Sequence, residues 1–190
     1  GRRLMFGWMG AFDDPVASPG TDNWAGQLTV PREVLLLDDL QVALRPVAEL
    51  SQVLPDESDF GSFTLTGAKT LAGDLTCADI ELTLDYAAST AERVGLQIAD
   101  TFVYYDDLAH RVGIDRRQAP VEPRSYRAAP VDPGDELTLR VLVDAGSVEV
   151  FAGDTCVSSL TAASNGPRAV TLTAEGGDAV VTACRVRTLD

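Results

Sequence analysis

Residues 137–151, LTLRVLVDAGSVEVF, decide the fold class of this chain. Apolar residues occupy alternate positions from Leu137 to Val143, which is the pattern of a strand with one buried face. The segment 144–146, Asp-Ala-Gly, interrupts this run, and the alternation resumes at Val148 and Val150. Two strands joined by a tight turn explain the pattern, so we predict an antiparallel β-hairpin here.

Short β-type segments continue on both sides of this hairpin and are separated by turn-forming residues. We predict further strands at 63–65, 79–86, 93–99, 101–105, 111–115, 155–160, 168–173 and 179–186. Asn165-Gly166-Pro167 and Gly176-Gly177-Asp178 are the clearest predicted turns. Many short strands without helical periodicity are typical of an all-β fold, and an antiparallel β-sandwich is the leading architecture for residues 60–190.

The first 59 residues are organised differently. A long loop rich in Gly, Pro and Asp at 10–23 separates predicted strands at 4–9, 24–30, 33–37 and 40–44. Pro46 begins a linker, 46–59, in which 47–54 suits a short helix and 56–59 is an acidic connector. The predicted organisation is therefore a small strand-rich unit, 1–45, a linker, 46–59, and the sandwich, 60–190.

Composition excludes several classes of partner. The chain has 190 residues, 45% of them hydrophobic, with a formal net charge of −14. A charge of this sign repels phosphate backbones and anionic lipid, so we expect neither nucleic acid nor membrane as a partner. Apolar runs stay well below the roughly 20 residues of a transmembrane helix.

Cysteine and histidine usage indicates neither a metal site nor a cofactor. Cys77, Cys156 and Cys184 lack metal-ligand spacing, and the one histidine, His110, has no Cys or His nearby. Three structural thiols favour a reducing, cytoplasmic compartment. GRRLMFGWMG at 1–10 has basic residues before an apolar run, but the run is short and has no small-residue cleavage site, so we do not predict a signal peptide there. A signal peptide upstream of Gly1 remains an open alternative.

Two groups of residues resemble one known family. The first is GRRLMFGWMG at 1–10 with NWAGQLTVPREVLLLDD at 23–39, and the second is VGIDR at 112–116 with LRVLVDAGSVEVFAGD at 139–154. They are similar to the last propeller blade and the C-terminal sandwich of glycoside hydrolase family 32, the β-fructofuranosidases. The resemblance implies that 1–45 is the remnant of the last blade of a five-bladed β-propeller and that 60–190 is the sandwich that follows it.

The resemblance also indicates what this chain lacks. The family uses an Asp nucleophile in Asn-Asp-Pro-Asn, a stabilising Asp in Arg-Asp-Pro and a Glu acid/base in Glu-Cys, and none of these motifs occurs in the sequence. Asp13-Asp14-Pro15 and Asp132-Pro133 match only the Asp-Pro element. Retaining glycosidases need two carboxyl groups about 5 to 5.5 Å apart. We therefore predict no catalytic residues in this chain and no hydrolysis by the chain alone.

Trp24 is the one substrate-binding candidate. By the resemblance it matches a tryptophan in the wall of the fructose subsite of the intact enzyme, where an indole face suits the apolar face of a sugar. The plain alternative is a core tryptophan at the start of a strand. Trp8 and Met9 are expected to pack the blade. Arg32-Glu33 is expected to form a structural ion pair, with a contact to substrate as the alternative.

Residues of the sandwich motifs are expected to be structural. We assign Asp115, Arg116, Asp144 and Glu149 to turn capping and surface pairing rather than ligand contact. Tyr104-Tyr105, followed by Asp106-Asp107, resembles a carbohydrate-binding surface, but we favour a strand end with alternating burial as the explanation. Asp13-Asp14 and Asp38-Asp39 are expected to lie in solvated loops, with weak calcium binding as the alternative.

Three functions from different classes fit these observations. The first is the C-terminal part of an enzyme that hydrolyses β-fructosidic bonds of sucrose, sucrose 6-phosphate or fructans, in which the sandwich braces its own propeller domain or mediates subunit contacts. The second is a non-catalytic carbohydrate-binding module. The third is an assembly domain that forms homo-oligomers, including a dimer formed through the first 40 residues.

Overall fold

A computed structural model describes residues 1–10, 26–120, 122, 124–161 and 168–189 of the chain. Five short strands precede the linker: β1 Leu4–Met5, β2 Trp8–Met9, β3 Gln27–Leu28, β4 Arg32–Leu36 and β5 Val42–Pro46. A 3₁₀ helix, Ala48–Gln52, follows within the linker, where the sequence predicted a short helix.

Eleven strands build the rest of the described chain. They are β6 Asp56–Asp59, β7 Phe63–Ala72, β8 Ala78–Asp85, β9 Arg93–Ile98, β10 Thr101–Asp106, β11 Arg111–Asp115, β12 Tyr126–Pro130, β13 Glu136–Asp144, β14 Ser147–Ala152, β15 Thr155–Leu160 and β16 Val170–Thr188. All their pairings are antiparallel. The central hairpin is β13–β14, with Asp144 paired to Ser147 across the predicted turn. The all-β sandwich prediction is confirmed.

Strand β16 belongs to both layers of the sandwich. Its first part, Val170–Glu175, pairs with β9, which continues through β10 and β11 to β12. Its second part, Val180–Thr188, pairs with β8, which continues through β13 and β14 to β15. Strands β7 and β6 line the other edge of β16. Thirty buried residues from these strands and their connections form one hydrophobic core between the layers.

The predicted turn at 176–178 is wrong, because these residues lie inside β16. The pairing of β16 with β7 shifts register between Ala174 and Asp178, and Gly176 has φ +74° there. A β-carbon on Gly177 would lie 2.4 Å from the carbonyl oxygen of Thr90. Strands that pass from one layer to the other bend at bulges, so these glycines make a corner rather than a chain reversal.

Two further elements differ from the sequence prediction. The acidic connector 56–59 forms β6, which pairs with Arg185–Thr188 of β16. Arg187 Nε lies 2.7 Å from Glu57 Oε2 across this pairing, so the arginines of β16 offset the acidic side chains. Strand β12 was not predicted, because Ala and Pro dominate its sequence. It pairs only with β11, and proline is tolerated on such an edge strand.

Two small antiparallel sheets, one of three strands and one of two, precede the linker, and we refer to them together as the small sheet. Strand β4 pairs with β1 on one side and with β5 on the other, and β2 pairs with β3. Within residues 1–10 and 26–46, the structure buries only Gly26, Thr29, Arg32 and Ala43, and none of them belongs to the core of the sandwich. This small sheet therefore has no core of its own and depends on contacts to other surfaces.

Gly177→Ala should lower the free energy of unfolding by about 2 kcal/mol or more, because the new methyl group meets backbone that cannot rotate away. Gly73→Ala is the matched control, since a β-carbon there has no heavy atom within 4 Å, and we expect a change within about 0.5 kcal/mol. Urea unfolding followed by circular dichroism measures both. Equal stability of the two variants would contradict a rigid corner in β16.

Candidate functional site

The small sheet contacts the sandwich at strand β14. All six residues of β14 are buried, so both faces of this strand are covered. Val148, Val150 and Ala152 belong to the core between the layers. Alternation along a strand places Ser147, Glu149 and Phe151 on the opposite, outward face. Outward residues of a sandwich normally meet water, but here residues 27–32 of the small sheet cover them.

A buried ion pair between Arg32 and Glu149 lies at the centre of this contact. Arg32 Nη2 donates a very short hydrogen bond to Glu149 Oε2, and the two residues are only 6% and 1% exposed. Ser158 Oγ donates to the same oxygen at 3.0 Å. The backbone N–H of Val30 donates to Glu149 Oε1 at 2.7 Å. Both carboxylate oxygens are thus satisfied, as a buried charge requires.

The guanidinium of Arg32 makes further contacts with the sandwich. It donates to Ser158 Oγ at 2.6 Å and to Cys156 Sγ at 3.2 Å. It also lies 5.4 Å from the ring centre of Phe151, within the range of a cation–π contact. Only its Nε is buried without a hydrogen-bond partner. A planar group with several donors can join four side chains in this way, whereas lysine cannot.

A second polar contact lies at the hairpin turn. Gln27 Nε2 donates to Asp144 Oδ2 at 2.9 Å and to Ser147 Oγ at 3.1 Å. The other oxygen of Asp144 accepts from the backbone N–H of Ala145 at 2.7 Å and thereby caps the turn. Arg168 donates to the carbonyl oxygens of Asp144 and Ala145. The turn that receives Gln27 is therefore held in place from within the sandwich.

Exposed ion pairs surround these buried contacts. Arg45 Nη2 lies 2.6 Å from Asp154 Oδ1, in the turn between β14 and β15. Arg2 Nη1 lies 2.5 Å from Glu49 Oε1 of the linker helix, and this hydrogen bond lowers the pKa of Glu49 to about 2. Exposed pairs of this kind contribute little to stability. The buried Arg32–Glu149 pair is therefore the polar contact whose disruption by a single substitution should destabilise the junction most.

A cleft of about 220 Å³ lies beside the contact, between the linker and the β13–β14 hairpin. Leu50, Val53 and Leu142 are among the apolar residues that line it, and Asp79 and Glu149 are among its polar lining residues. Asp79 is fully buried and accepts two hydrogen bonds from Arg140. Both carboxylates are thus already paired with arginine, so their evident role is to hold strands together.

The predicted site residues have different outcomes. Trp24 and Asp13-Asp14 lie outside the described residues, so the subsite role of Trp24 stays a prediction. Arg32 and Glu33 do form ion pairs, but not with each other. Arg32 pairs with Glu149, and Glu33 lies 3.4 Å from Arg2 Nε.

The expected surface roles of two motif residues are wrong. Glu149 is buried in the contact with the small sheet, and Arg116 is fully buried where it donates to Asp100, Thr101 and the carbonyl oxygen of Leu160. Asp115 caps the backbone N–H of Arg117 and pairs with its side chain, as predicted. Phe151 could have indicated that Glu149 is buried. It lies on the same face of β14 as Glu149, and a large apolar residue is unexpected on a solvated face.

The tyrosine pair does not form an exposed platform. Tyr105 is in the core, with its hydroxyl 3.2 Å from His110 Nδ1. Tyr104 faces outward but is covered, because Phe102 stacks beside it at 5.0 Å and Arg93 lies 5.5 Å from its ring centre. Burial raises the pKa of both phenols. Strand alternation, the plain alternative, explains the pair.

All three cysteines are free thiols. Burial raises the pKa of each of them, that of Cys184 to about 11, so the neutral thiol is the favoured form. Across the described part of the chain, no cluster of three or more His, Cys, Asp or Glu side chains is arranged to hold a metal ion. Nor do the described residues include a helix long and apolar enough to span a membrane.

The fold and this contact define a class of protein, a two-layer β-sandwich with the strands of a second unit docked on its outer face. The family model described as "Glycosyl hydrolases family 32 C terminal" matches residues 49–188. The chain therefore belongs to the C-terminal domain family of the glycosyl hydrolases of family 32. The predicted family is confirmed.

Curated relatives agree with this assignment. A raffinose invertase of Escherichia coli is 31% identical over 185 residues, covering 96% of this chain and 38% of the relative. A sucrose-6-phosphate hydrolase of Escherichia coli is 32% identical, covering 81% of this chain and 32% of the relative. A levanase of Bacillus sp. (strain L7) is 30% identical, covering all of this chain and 23% of the relative. The chain thus spans between about a quarter and two fifths of their length.

Solved structures share the fold. An exo-inulinase from Aspergillus awamori superposes with a TM-score of 0.78 at 19% identity, covering 98% of this chain and 40% of that protein. A sucrose-6-phosphate hydrolase from Lactobacillus gasseri gives 0.74 at 16% identity, covering 100% and 39%. Because coverage is nearly complete, the small sheet belongs to the shared fold as well as the sandwich.

Glu149→Gln should lower the free energy of unfolding by about 3 kcal/mol, because it leaves the guanidinium of Arg32 buried without a counter-charge. Glu33→Gln, on the neighbouring residue of β4 and in a half-exposed pair, should cost less than about 1 kcal/mol. Urea unfolding measures both variants. Adding Arg32→Met to Glu149→Gln should recover part of the loss, and full additivity would contradict direct coupling.

Proposed function

We propose that this chain is the C-terminal part of an enzyme that hydrolyses β-fructosidic bonds, and that its sandwich braces the catalytic propeller. The single observation that carries the bracing role is the buried Arg32–Glu149 pair, which joins the small sheet to the outward face of the sandwich. A domain joined to the propeller only by a flexible linker would not need a desolvated ion pair at the junction.

The exposed apolar residues support an upstream partner for the small sheet. Four of the large hydrophobic residues that are exposed among those described come from residues 4–28 of this sheet. Leu4, Phe6 and Trp8 occupy alternate positions on β1–β2, and Leu28 pairs with Trp8 across the strands. An apolar stripe of this kind is typical of a surface that packs against another unit. The preceding blades of a propeller are the partner we propose.

The names of the relatives support the proposed substrates. Raffinose invertase, sucrose-6-phosphate hydrolase and levanase are all named for carbohydrate substrates or for their cleavage. We propose that the parent protein acts on sucrose, sucrose 6-phosphate or fructan. The sequence has none of the three family acid motifs, so the carboxyl groups that act on the sugar would belong to the part of the enzyme upstream of this chain.

A carbohydrate-binding module is less well supported. The aromatic pair that suggested it, Tyr104-Tyr105, is buried, so neither ring offers a free face to a sugar. Titration calorimetry with fructo-oligosaccharides separates the two functions. A bracing domain gives no heat of specific binding, whereas a module gives a saturable heat at millimolar sugar.

The activity test compares the 190-residue chain with the full product of its natural gene. The full product should release fructose from at least one of sucrose, sucrose 6-phosphate and inulin, with β-fructose as the first anomer seen by NMR, as retention requires. The chain alone should release none. Fructose release by the pure chain, or none by a folded full product, would contradict the proposal.

Bracing makes a further prediction for the full product. Glu149→Gln should shorten the half-life of activity at raised temperature several-fold while kcat/KM at 25 °C stays within about twofold, because the pair stabilises the junction without touching substrate. Glu33→Gln is the matched control and should leave the half-life nearly unchanged. A fall in kcat/KM without loss of thermal stability would contradict a bracing role.

A further inference from the structure

The tip of the β4–β5 hairpin carries an unusual leucine. The N–H of Leu37 donates to the carbonyl of Gln41 at 2.8 Å and the N–H of Leu40 to the carbonyl of Leu37 at 3.0 Å, which closes a three-residue loop, Asp38-Asp39-Leu40. Leu40 has φ +67°. This last loop position normally holds Gly or Asn, because a β-carbon is strained in the left-handed region.

Leu40 is also the most exposed large hydrophobic residue among those described, at 79%. Leu36 and Val42, a cross-strand pair of the same hairpin, are exposed as well. A strained and solvated leucine contributes nothing to the folding of its own turn, where glycine would do better. The tip therefore combines three apolar side chains with the carboxylates of Asp38 and Asp39. Binding to a partner explains these residues better than formation of the turn does.

A surface of complementary character lies on the sandwich, between the edges of β12 and β15. It is a groove of about 540 Å³, which we call the seam groove. Its lining includes apolar side chains and two arginines: Tyr126, Ala128, Ala129, Val157, Arg111 and Arg127. Neither Arg111 nor Arg127 has an ion-pair partner within the described part of the chain, although acidic residues outnumber basic ones 29 to 15.

The seam groove cannot accept another strand, because side chains already bridge its two edges. Thr155 Oγ1 donates to the carbonyl oxygen of Pro130 at 3.0 Å, and the hydroxyls of Ser125 and Ser159 lie 3.1 Å apart. Strands joined in this way are too close for a strand to insert between them, since each pairing needs nearly 5 Å. What the groove can accept is a compact group of side chains from outside.

We propose that the seam groove of one copy of this chain binds the β4–β5 hairpin tip of a second copy. Leu40 would pack on Tyr126 and Ala128, and Asp38 and Asp39 would approach Arg111 and Arg127. Charge complementarity supports a second copy, because the tip is acidic and the groove is basic on a chain that is otherwise strongly acidic. Tip and groove are different surfaces, so the contact is heterologous and can continue from copy to copy.

Sedimentation equilibrium of the 190-residue chain over a wide concentration range tests the proposal. The average mass should rise with concentration, and the rise should weaken in high salt. Leu40→Asn should weaken association at least tenfold and also raise the unfolding temperature, because asparagine tolerates the left-handed conformation. A wild-type chain that stays monomeric at its highest soluble concentration, or a Leu40→Asn variant that associates like wild type, would overturn the proposal.

Mixing two variants tests the pairing of tip with groove. Leu40→Asn keeps an intact groove and Arg127→Glu keeps an intact tip, so each alone should be monomeric and an equimolar mixture should form a dimer and nothing larger. Arg111→Glu is the second groove variant if Arg127→Glu fails to fold, as judged by circular dichroism. A mixture that stays monomeric would overturn the pairing.

Phe6→Ser is the control variant. It removes an exposed aromatic residue from the apolar stripe but leaves the tip and the seam groove unchanged. Association should be the same as in the wild-type chain. If Phe6→Ser abolished it, the contact would lie on the stripe and the proposal would be wrong. None of these measurements depends on hydrolysis, so they stand or fall separately from the proposed enzyme.

Discussion

The structure depends on a buried charge that must be neutralised from another part of the chain. Glu149 points away from the core of the sandwich, yet it is 1% exposed, and a lone carboxylate in that position would be strongly unfavourable. Arg32 and the backbone N–H of Val30 satisfy it. The sandwich is therefore complete only with the small sheet docked on it, and the small sheet, which has no core of its own, is ordered by the same contact.

This reciprocity links the fold to the proposed function. The junction has one desolvated ion pair at its centre, a second polar contact at Gln27 and exposed pairs around both. Such a pair fixes orientation, because a guanidinium and a carboxylate accept few geometries. In the proposed enzyme, with 1–45 as its last propeller strands, the sandwich would thus fix the position of those strands.

The sequence predicted the strands well and their partners poorly. Alternation identified the hairpin β13–β14 because that signal lies within a few residues. Glu149 was misassigned because alternation shows that a side chain faces outward, not whether another unit covers that face. Gly176-Gly177 was predicted as a turn because glycine is common both in turns and in β-bulges, and the sequence does not distinguish the two. The family was recognisable from short motifs, whereas the Arg32–Glu149 pair joins residues more than a hundred positions apart and no local pattern reports it.

The length of β16 has a consequence for biosynthesis. Residues 170–188 pair with β6, β7, β8 and β9, so both layers take their register from a strand near the end of this chain. The ribosome makes these residues after all the strands they join, and non-local pairing is slow to form. The sandwich can therefore close only after this segment has emerged. Until then the edges of β7, β8 and β9 that pair with this segment stay unpaired.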